Sequence, residues 1–319
     1  MIKRMIDIVG IKKYTFGVSI LIMVVGIVFL IVNGVTLDIQ FEGGTQIQIE
    51  MENDDYNAND AAALITELTG KTVTTQKLQT YNPDDADDKI DILMFRVSKE
   101  DTLTDVEINT VINALKENFN VKKGAEMQLE SVEPFIGIEM LKNALLAIIV
   151  SFVLVMLYVW VRFKIMGGLA AAVTAVIALV HDVAVMFFVY VIFQIPLNDV
   201  CVAAILTILG YSLNDTIILY DRIRENSRLL SKLSYAELVN RSTAETISRT
   251  ISTGTTTIIS VLTLYIFALA NNIESLESFS FPLLIGMVAG IYSSIFIASP
   301  LWVMWKEREN KKGLKVRRT

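Results

Sequence analysis

The chain is poor in the residue types that build metal and thiol sites. It has one cysteine and one histidine among 319 residues. A single cysteine excludes a disulfide-stapled scaffold and any multi-thiolate zinc or iron–sulfur site, and a single histidine excludes the zinc-protease signature. Charged residues make up 19%, against about 25% in an ordinary globular chain. The net charge of −6 argues against a nucleic-acid-binding protein. We expect no cofactor and no metal.

Hydrophobic residues, by contrast, make up 53% of the chain and gather in six long runs. A helix crosses the hydrocarbon core of about 30 Å with roughly 20 mostly apolar residues. Four of the runs carry no charge, the third contains His181 and Asp182, and the fourth contains Asp215. The sequence therefore predicts six membrane-spanning helices, at residues 14–32, 143–161, 167–193, 200–219, 251–270 and 281–305.

The short connections between these runs differ in their lysine and arginine content. The loop at 221–250 carries six such residues and the tail after residue 305 carries seven, whereas the loops at 194–199 and 271–280 carry none. Short cytoplasmic loops of membrane proteins are enriched in lysine and arginine. The sequence predicts a multi-pass protein of the cytoplasmic membrane with both termini in the cytoplasm.

One long polar segment, residues 33–138, separates the first two runs. It holds 21 of the 34 acidic residues and 8 of the 28 basic ones, which agrees with a location outside the membrane. Its patterns predict strands and amphipathic helices rather than a tether. The strand-like stretches are 36–51, 72–80, 89–99 and 126–132, and the helical stretches are 59–69 and 104–118. The order β-α-β-β-α-β predicts an α+β domain of the ferredoxin-like type.

Local signals mark the ends of several predicted elements. Asn59 is a suitable N-cap for the first helix of the polar segment, and Thr104 with Glu107 forms a capping box for the second. Ser234 and Glu237 form another capping box, which predicts an amphipathic helix inside the loop at 221–250. Gly43 and Gly44 interrupt the alternation of the first strand.

The fold class is therefore a polytopic α-helical membrane protein with an extracytoplasmic α+β domain inserted between its first and second helices. Residues 1–32 form the cytoplasmic N-terminus and the first helix, and residues 33–138 form the outer domain. Residues 139–305 form helices two to six with the cytoplasmic loop at 221–250, and residues 306–319 form a basic cytoplasmic tail.

Asp215 lies inside the fourth predicted span. It precedes Asp221, at the cytoplasmic boundary, by six residues, which is roughly 9 Å of helical rise. An ionisable side chain in hydrocarbon costs several kcal/mol, so its default role is functional. We interpret Asp215 as a proton-binding residue; the alternative is a structural hydrogen bond to a neighbouring helix. Ser212 and Asn214 add hydrogen-bonding capacity beside it.

Arg249 is the candidate counter-charge for Asp215. It precedes the fifth run in a stretch of small hydroxyl residues, which would let another helix approach closely. A nearby guanidinium favours the ionised form of an acid, whereas desolvation favours the neutral form. Movement of Arg249 toward or away from Asp215 would therefore release or load a proton. The alternative is an interfacial anchor that keeps its charge in water.

His181 and Asp182 lie in the middle of the third run. A proton-relay role and a role in helix packing through hydrogen bonds are both open for them. Consecutive helix positions point about 100° apart, so the two side chains are not expected to face each other.

Four motifs together resemble those of the SecF family, membrane subunits that accompany SecD in bacterial protein export. The longest is GYSLNDTIILYDRIREN at 210–226, in the fourth run. The others are ALVHDV at 178–183, SRTI at 248–251 with the threonines after it, and FEGGT at 41–45. The chain departs from the usual family pattern at Gln40, where an aspartate is common, and at Glu133, where a glycine precedes the proline.

The resemblance implies a transport role without covalent catalysis. Together with SecD and the Sec translocation channel, such a subunit uses a proton or sodium gradient to assist late translocation of unfolded preproteins. The partners are then these membrane proteins, the preprotein and membrane lipids. The residues that match the family's proton-conducting pair are Asp215 and Arg249. His181, Asp182, Ser212, Asn214, Asp221 and Arg222 are possible supporting polar residues, and Gly43, Gly44 and Pro134 are a possible hinge of the outer domain.

Two other classes of function would use the same residues differently. An intramembrane hydrolase would use Ser212 as its nucleophile, but the closing glycine of a nucleophile motif is replaced by Asn214, and His181 is the only imidazole. A non-conducting six-span scaffold would use Asp215 for structure alone. Substitution of Asp215 by asparagine distinguishes the scaffold from the transporter, because it removes titration and keeps the shape.

Overall fold

The computed structural model describes residues 7–53, 55–81, 89–98, 103–122, 124, 127–230, 232–271 and 273–316. The terminal residues 1–6 and 317–319, which belong to the predicted cytoplasmic ends, lie outside these ranges. The helices and strands are α1 (Lys12–Asn33), α2 (Ile39–Glu42), β1 (Gly44–Met51), α3 (Ala58–Thr69), β2 (Val73–Tyr81), β3 (Lys89–Ser98), α4 (Asp105–Asn118), β4 (Met127–Val132), α5 (Pro134–Arg162), α6 (Gly168–Ile192), α7 (Asp199–Leu229), α8 (Tyr235–Ala270), α9 (Glu274–Ser293) and α10 (Ser299–Val316).

Six helices within the described residues are long and apolar enough to cross a membrane, as predicted. They are α1, α5, α6, α7, α8 and the continuous helix made by α9 and α10, which are joined by a π-helical segment at Ser294–Ala298. The core of the bundle lies around α6, α7 and α9–α10, whereas most of α1, α5 and α8 is exposed. Alanines on α6 let its neighbours approach closely, since small side chains permit close helix packing.

The segment between α1 and α5 folds into a four-stranded antiparallel sheet with the strand order β2-β3-β1-β4. Side chains on one face of β1 and β3 alternate into a core covered by α3 and α4, as the two-residue period of a strand requires. The buried residues at the centre are Ile47, Ile49, Ala61, Ile65, Leu93, Phe95, Val111 and Leu115. Strand β4 lies at an edge and most of its side chains are exposed.

The capping box predicted at Thr104 and Glu107 is confirmed at the start of α4. The Thr104 side chain accepts a hydrogen bond from the Glu107 N–H, and the Glu107 carboxylate accepts one from the Thr104 N–H. The Lys71 ammonium also binds this carboxylate at 2.8 Å. Lys71 and the Thr104 backbone together hold the pKa of Glu107 at about 2, below its usual range.

Two local predictions for residues 33–138 are wrong. The first strand begins at Gly44, because Ile39–Glu42 forms the short helix α2 with Asp38 as its N-cap. The positive φ angles of Gly43 and Gly44, +83° and +135°, then turn the chain into the strand. The first long helix of the domain is capped by Asn57 rather than Asn59: Asn57 has the extended backbone that a cap needs, and its side chain accepts the Asn59 N–H at 3.0 Å.

The predicted cytoplasmic loop at 221–250 is mostly helical. Helix α7 continues to Leu229 and α8 begins at Tyr235, at the predicted Ser234–Glu237 capping box. Polar contacts between the two helices support this extension: the Arg222 guanidinium binds Glu245 at 2.6 Å, and the Asn226 amide donates to Ser242 at 3.0 Å. The C-terminal residues predicted as a tail also continue as helix, with α10 ending at Val316.

Candidate functional site

Asp215 lies on α7 in the interior of the helix bundle. Its residue exposure is 1%, and neither carboxylate oxygen has a hydrogen-bond partner among the described residues. Three residues earlier, Ser212 is fully buried on the same side of the helix, and Thr216 follows Asp215 with 1% exposure. Asn214, predicted as a supporting residue, is exposed on another face. The described side chains around Asp215 therefore leave its carboxyl group without a donor.

Asp182 is the centre of a hydrogen-bond network between α6, α7 and α9. Its carboxylate accepts the Ser212 hydroxyl at 2.5 Å and the Ser293 hydroxyl at 2.7 Å. His181 Nδ1 lies 3.1 Å from the other carboxylate oxygen, whereas His181 Nε2 is buried without a partner among the described residues. The expectation that His181 and Asp182 do not face each other is wrong, because both side chains are long enough to bring these atoms into contact from adjacent helix positions. Asp182 itself is fully buried.

A second set of hydroxyl contacts continues this network toward the π-helical segment. The Thr216 and Ser294 hydroxyl oxygens are 2.8 Å apart, and the Ser294 hydroxyl also donates to the Ser212 carbonyl at 3.4 Å. A Cβ atom on Gly290 would lie 3.0 Å from Ser212 Cβ, so α7 and α9 approach closely here. π-Helical turns are frequent at functional sites. Polar contacts thus surround the helical turn that carries Asp215.

Arg249 does not pair with Asp215. The Arg249 residue is exposed, and no ion pair joins it to a carboxylate in the part of the chain that the structure describes. It lines a cleft of about 900 Å³ between α7 and α8, together with Ile218 and the polar residues at the ends of these helices. Ile218 follows Asp215 by one helical turn, so the cleft extends to within about 5 Å of helical rise from Asp215.

Asp221 and Arg222 line the same cleft but bind other residues. The Asp221 carboxylate pairs with Arg162 at 3.0 Å and with Arg224 at 2.9 Å, which ties α5 to α7. Arg222 pairs with Glu225 at 2.7 Å in addition to Glu245 on α8. These partly exposed pairs hold the helix ends together and do not contact Asp215.

The predicted hinge residues meet where the α+β domain at residues 33–138 joins α5. Gly43 directly precedes β1, Gly44 is the first residue of that strand, and Pro134 is the first residue of α5. A Cβ atom on Gly43 would lie 2.6 Å from Pro134 Cα, and one on Gly137 would lie 2.9 Å from the Gly43 nitrogen. The structure therefore brings these residues together in a tight backbone contact; whether this junction bends remains a prediction.

Substitution of Gly43 by alanine is expected to destabilise this junction more than the same change at Gly34. Gly43 has φ +83° and ψ 164°, and Gly34 has φ +71° and ψ −163°; both conformations are nearly specific to glycine. An alanine at either position therefore carries about 1–3 kcal/mol of backbone strain. Of these two glycines only Gly43 also faces backbone, because no atom of the described residues lies within 4 Å of a Cβ on Gly34. Thermal unfolding midpoints of the purified variants test this; equal midpoints would show that the contact with Pro134 is unimportant.

Sequence reasoning missed the hydroxyl partners on the sixth span. Ser293 and Ser294 lie in an uncharged run, whose pattern predicts a membrane helix and no polar site. The two adjacent hydroxyl groups could have indicated contacts with another helix, because polar side chains in a membrane helix usually form hydrogen bonds between helices. The hydrolase hypothesis also has no support from the geometry: the Ser212 hydroxyl donates to Asp182, and the only imidazole contacts that carboxylate rather than Ser212.

Comparisons with known proteins all relate this chain to SecD and SecF proteins. A family model described as "Protein export membrane protein SecD/SecF, C-terminal" matches residues 110–308. The protein translocase subunit SecF of Desulfurispirillum indicum is 31% identical over 316 residues, which cover 97% of this chain and 95% of that protein. The protein translocase subunit SecDF of Bacillus subtilis is 33% identical over 312 residues, which cover 96% of this chain and 39% of that protein.

The fold is also similar to a solved structure of a relative. The crystal structure of SecDF from Thermus thermophilus, titled a translocon-associated membrane protein, matches with a TM-score of 0.79 and 28% identity, over 96% of this chain and 39% of that one. The chain thus spans about two fifths of the fused SecDF relatives and nearly all of the separate SecF relative. Six apolar helices and these relatives indicate a multi-pass protein of the cell membrane. The chain belongs to the SecF family of protein translocase subunits.

Proposed function

We propose that this chain, together with a SecD partner, uses a proton or sodium gradient to assist late translocation of preproteins across the cytoplasmic membrane. The observation that carries the proposal is Asp215, an acid that is 1% exposed between membrane helices and has no hydrogen-bond donor among the described residues. Burial of an ionised carboxylate without donors is costly. The arrangement suits a protonated acid, and release of the proton requires water or a cation to reach Asp215.

The cleft between α7 and α8 supplies such a route. Arg249 and Ile218 both line it, and Ile218 is one helical turn from Asp215. In the proposed cycle, rearrangement of α7 against α8 brings Asp215 and the Arg249 guanidinium closer together. The guanidinium then stabilises the carboxylate and favours release of the proton. In the proposed cycle, Asp215 holds the proton while it is unpaired from Arg249, which is the arrangement of the structure.

The gradient supplies enough free energy to bias such a rearrangement. One elementary charge that crosses about 100 mV contributes roughly 2.3 kcal/mol. A free-energy difference of this size shifts a two-state equilibrium by more than tenfold. A single protonation site is therefore sufficient in principle to drive α7 between two positions.

The outer domain is the proposed site of mechanical output. The strand order β2-β3-β1-β4 with two helices on one face supports a ferredoxin-like domain, and we place it outside the membrane, with both termini in the cytoplasm. The fused relatives named SecDF support association with a SecD partner and with the Sec channel. The domain would hold the emerging unfolded polypeptide and prevent its return, with Gly43, Gly44 and Pro134 at its moving junction.

Export into membrane vesicles with imposed gradients tests this function. Vesicles that contain this chain and its SecD partner are given a pH gradient or a sodium gradient, and protection of a preprotein from protease is measured over time. We expect one of the two gradients to accelerate late export and an ionophore specific for that ion to abolish the acceleration. A non-conducting scaffold predicts export that depends on the presence of the chain but on neither gradient.

A further inference from the structure

The base of the outer domain is hydrogen-bonded to the connection between α6 and α7. The Leu197 N–H donates to the Thr36 carbonyl at 2.9 Å, and the Asp38 N–H donates to the Leu197 carbonyl at 3.0 Å. These bonds form a short parallel β-bridge between Leu37 and Leu197. Leu197 lies two residues before α7, the helix that carries Asp215. The backbone that leads into the outer domain is thus attached to the start of the proton-binding helix.

The side chain of Gln40 adds a second link between the same parts. Its carbonyl oxygen accepts the Asp199 N–H at 3.3 Å, and its amide nitrogen donates to the Glu130 carboxylate at 3.4 Å. Asp199 is the first residue of α7, and Glu130 lies on the edge strand β4. One side chain therefore joins the start of α7 to the sheet of the outer domain.

The segment that carries Gln40 is itself fixed to the sheet. Asp38 caps α2 by accepting the Gln40 N–H at 3.3 Å, and its carboxylate also pairs with Arg96 on β3 at 3.5 Å. The Arg96 guanidinium in turn donates to the Gln46 side chain on β1 at 2.6 Å. A displacement of α2 is therefore passed to three strands, β1 and β3 through Asp38 and Arg96, and β4 through Gln40.

We infer that Gln40 is a positioning residue that transmits displacement of α7 to the outer domain, an inference that rests on the proposed function. Asp215 lies 16 residues after Asp199 on one continuous helix, about 24 Å along its axis, so a shift or tilt at Asp215 moves the helix start as well. A neutral amide suits this position because it both accepts a hydrogen bond from a backbone N–H and donates one to a carboxylate. A carboxylate at position 40 retains only the first contact and repels Glu130.

A donor–acceptor exchange tests the link in the full chain with its SecD partner. Gln40→Glu removes the donor that binds Glu130, and Gln40→Leu removes both contacts. The double variant Gln40→Glu with Glu130→Gln reverses donor and acceptor and restores the bond. Gln128→Glu, an exposed change of the same type on β4, is the matched control. The readouts are gradient-stimulated export and export without a gradient, each divided by the amount of folded complex.

We expect Gln40→Glu to lower gradient-stimulated export about fivefold, the factor that corresponds to the loss of one typical hydrogen bond. Gln40→Leu loses two such bonds and is expected to lower it at least as much. Export without a gradient and the response of the Gln128→Glu control stay as in the wild type, and the double exchange recovers at least half of the lost stimulation. Unchanged stimulation in Gln40→Leu, an equal loss with and without a gradient, or no recovery in the double exchange would each overturn the inference. Failure of the proposed function is recognised separately, because wild-type export is then insensitive to any gradient.

Discussion

Substitution of Asp215 by asparagine is expected to abolish gradient-stimulated export while the protein still assembles in the membrane. Asparagine has nearly the same shape as the protonated acid and, like it, can both donate and accept hydrogen bonds, so the packing of α7 against its neighbours is retained. It does not titrate, so the free energy of the gradient can no longer be coupled to a change of charge inside the bundle. The expected result is export at the level of vesicles without a gradient, together with a wild-type amount of folded complex.

Two further variants make this result specific. Asp215→Glu keeps a titratable carboxyl group and is expected to retain part of the stimulation. Asp60→Asn removes an exposed carboxyl from α3 and is expected to behave like the wild type. Full stimulation in Asp215→Asn, at equal amounts of complex, would support the scaffold alternative and remove the basis for proton coupling at this residue.

The hydrophobic pattern of the sequence was sufficient to locate the membrane helices, because an uncharged run of about 20 residues has few alternatives to a spanning helix. The pattern could not predict how far the helices continue outside the membrane. Helices α7 and α8 extend beyond the apolar runs because Arg222 and Asn226 bind Glu245 and Ser242 on the facing helix. Such contacts depend on the pairing of two helices, and a single helix sequence does not specify its partner.

The same limit applies to the candidate site. Asp215 was found from sequence because an acid in an apolar run is costly wherever the helix packs. The distance between Asp215 and Arg249 could not be predicted, because the two residues lie on different helices and this distance depends on how α7 and α8 pack. Ser293 and Gln40 were missed as partners for a similar reason: the carboxylate that accepts the Ser293 hydroxyl is 111 residues away, and the backbone N–H that Gln40 accepts is 159 residues away.

Substitution of Asp182 is expected to reduce stability rather than to remove proton coupling. The carboxylate is the common acceptor for Ser212, Ser293 and His181, and it joins three of the helices at the core of the bundle. Asp182→Ala leaves these buried donors without their acceptor. The Ser293 hydroxyl retains the Gly290 carbonyl of its own helix as a partner, at 3.2 Å. Since an unsatisfied buried group costs about 1–3 kcal/mol, we expect a loss of several kcal/mol in total.

Ser293→Ala separates the contribution of one donor from that of the acceptor. It removes a single hydrogen bond, and bonds between membrane helices contribute about 0.6 kcal/mol on average, so its effect should be much smaller than that of Asp182→Ala. Ser260→Ala removes an exposed hydroxyl that, among the described residues, donates only to the Thr256 carbonyl of its own helix, and it should have no measurable effect. Unfolding midpoints of the purified complex in detergent test this order of stability.

The functional readout of the same variants decides between the two roles that the sequence left open for His181 and Asp182. If Asp182 holds the helices together, Asp182→Asn lowers the unfolding midpoint, while the complex that still folds keeps its response to the gradient. This is the expected result, because the carboxylate is engaged with fixed donors from all three helices whereas Asp215 is not. A stable Asp182→Asn complex without gradient response would instead identify Asp182 as part of the proton path, with the unpartnered His181 Nε2 as its neighbour in the relay.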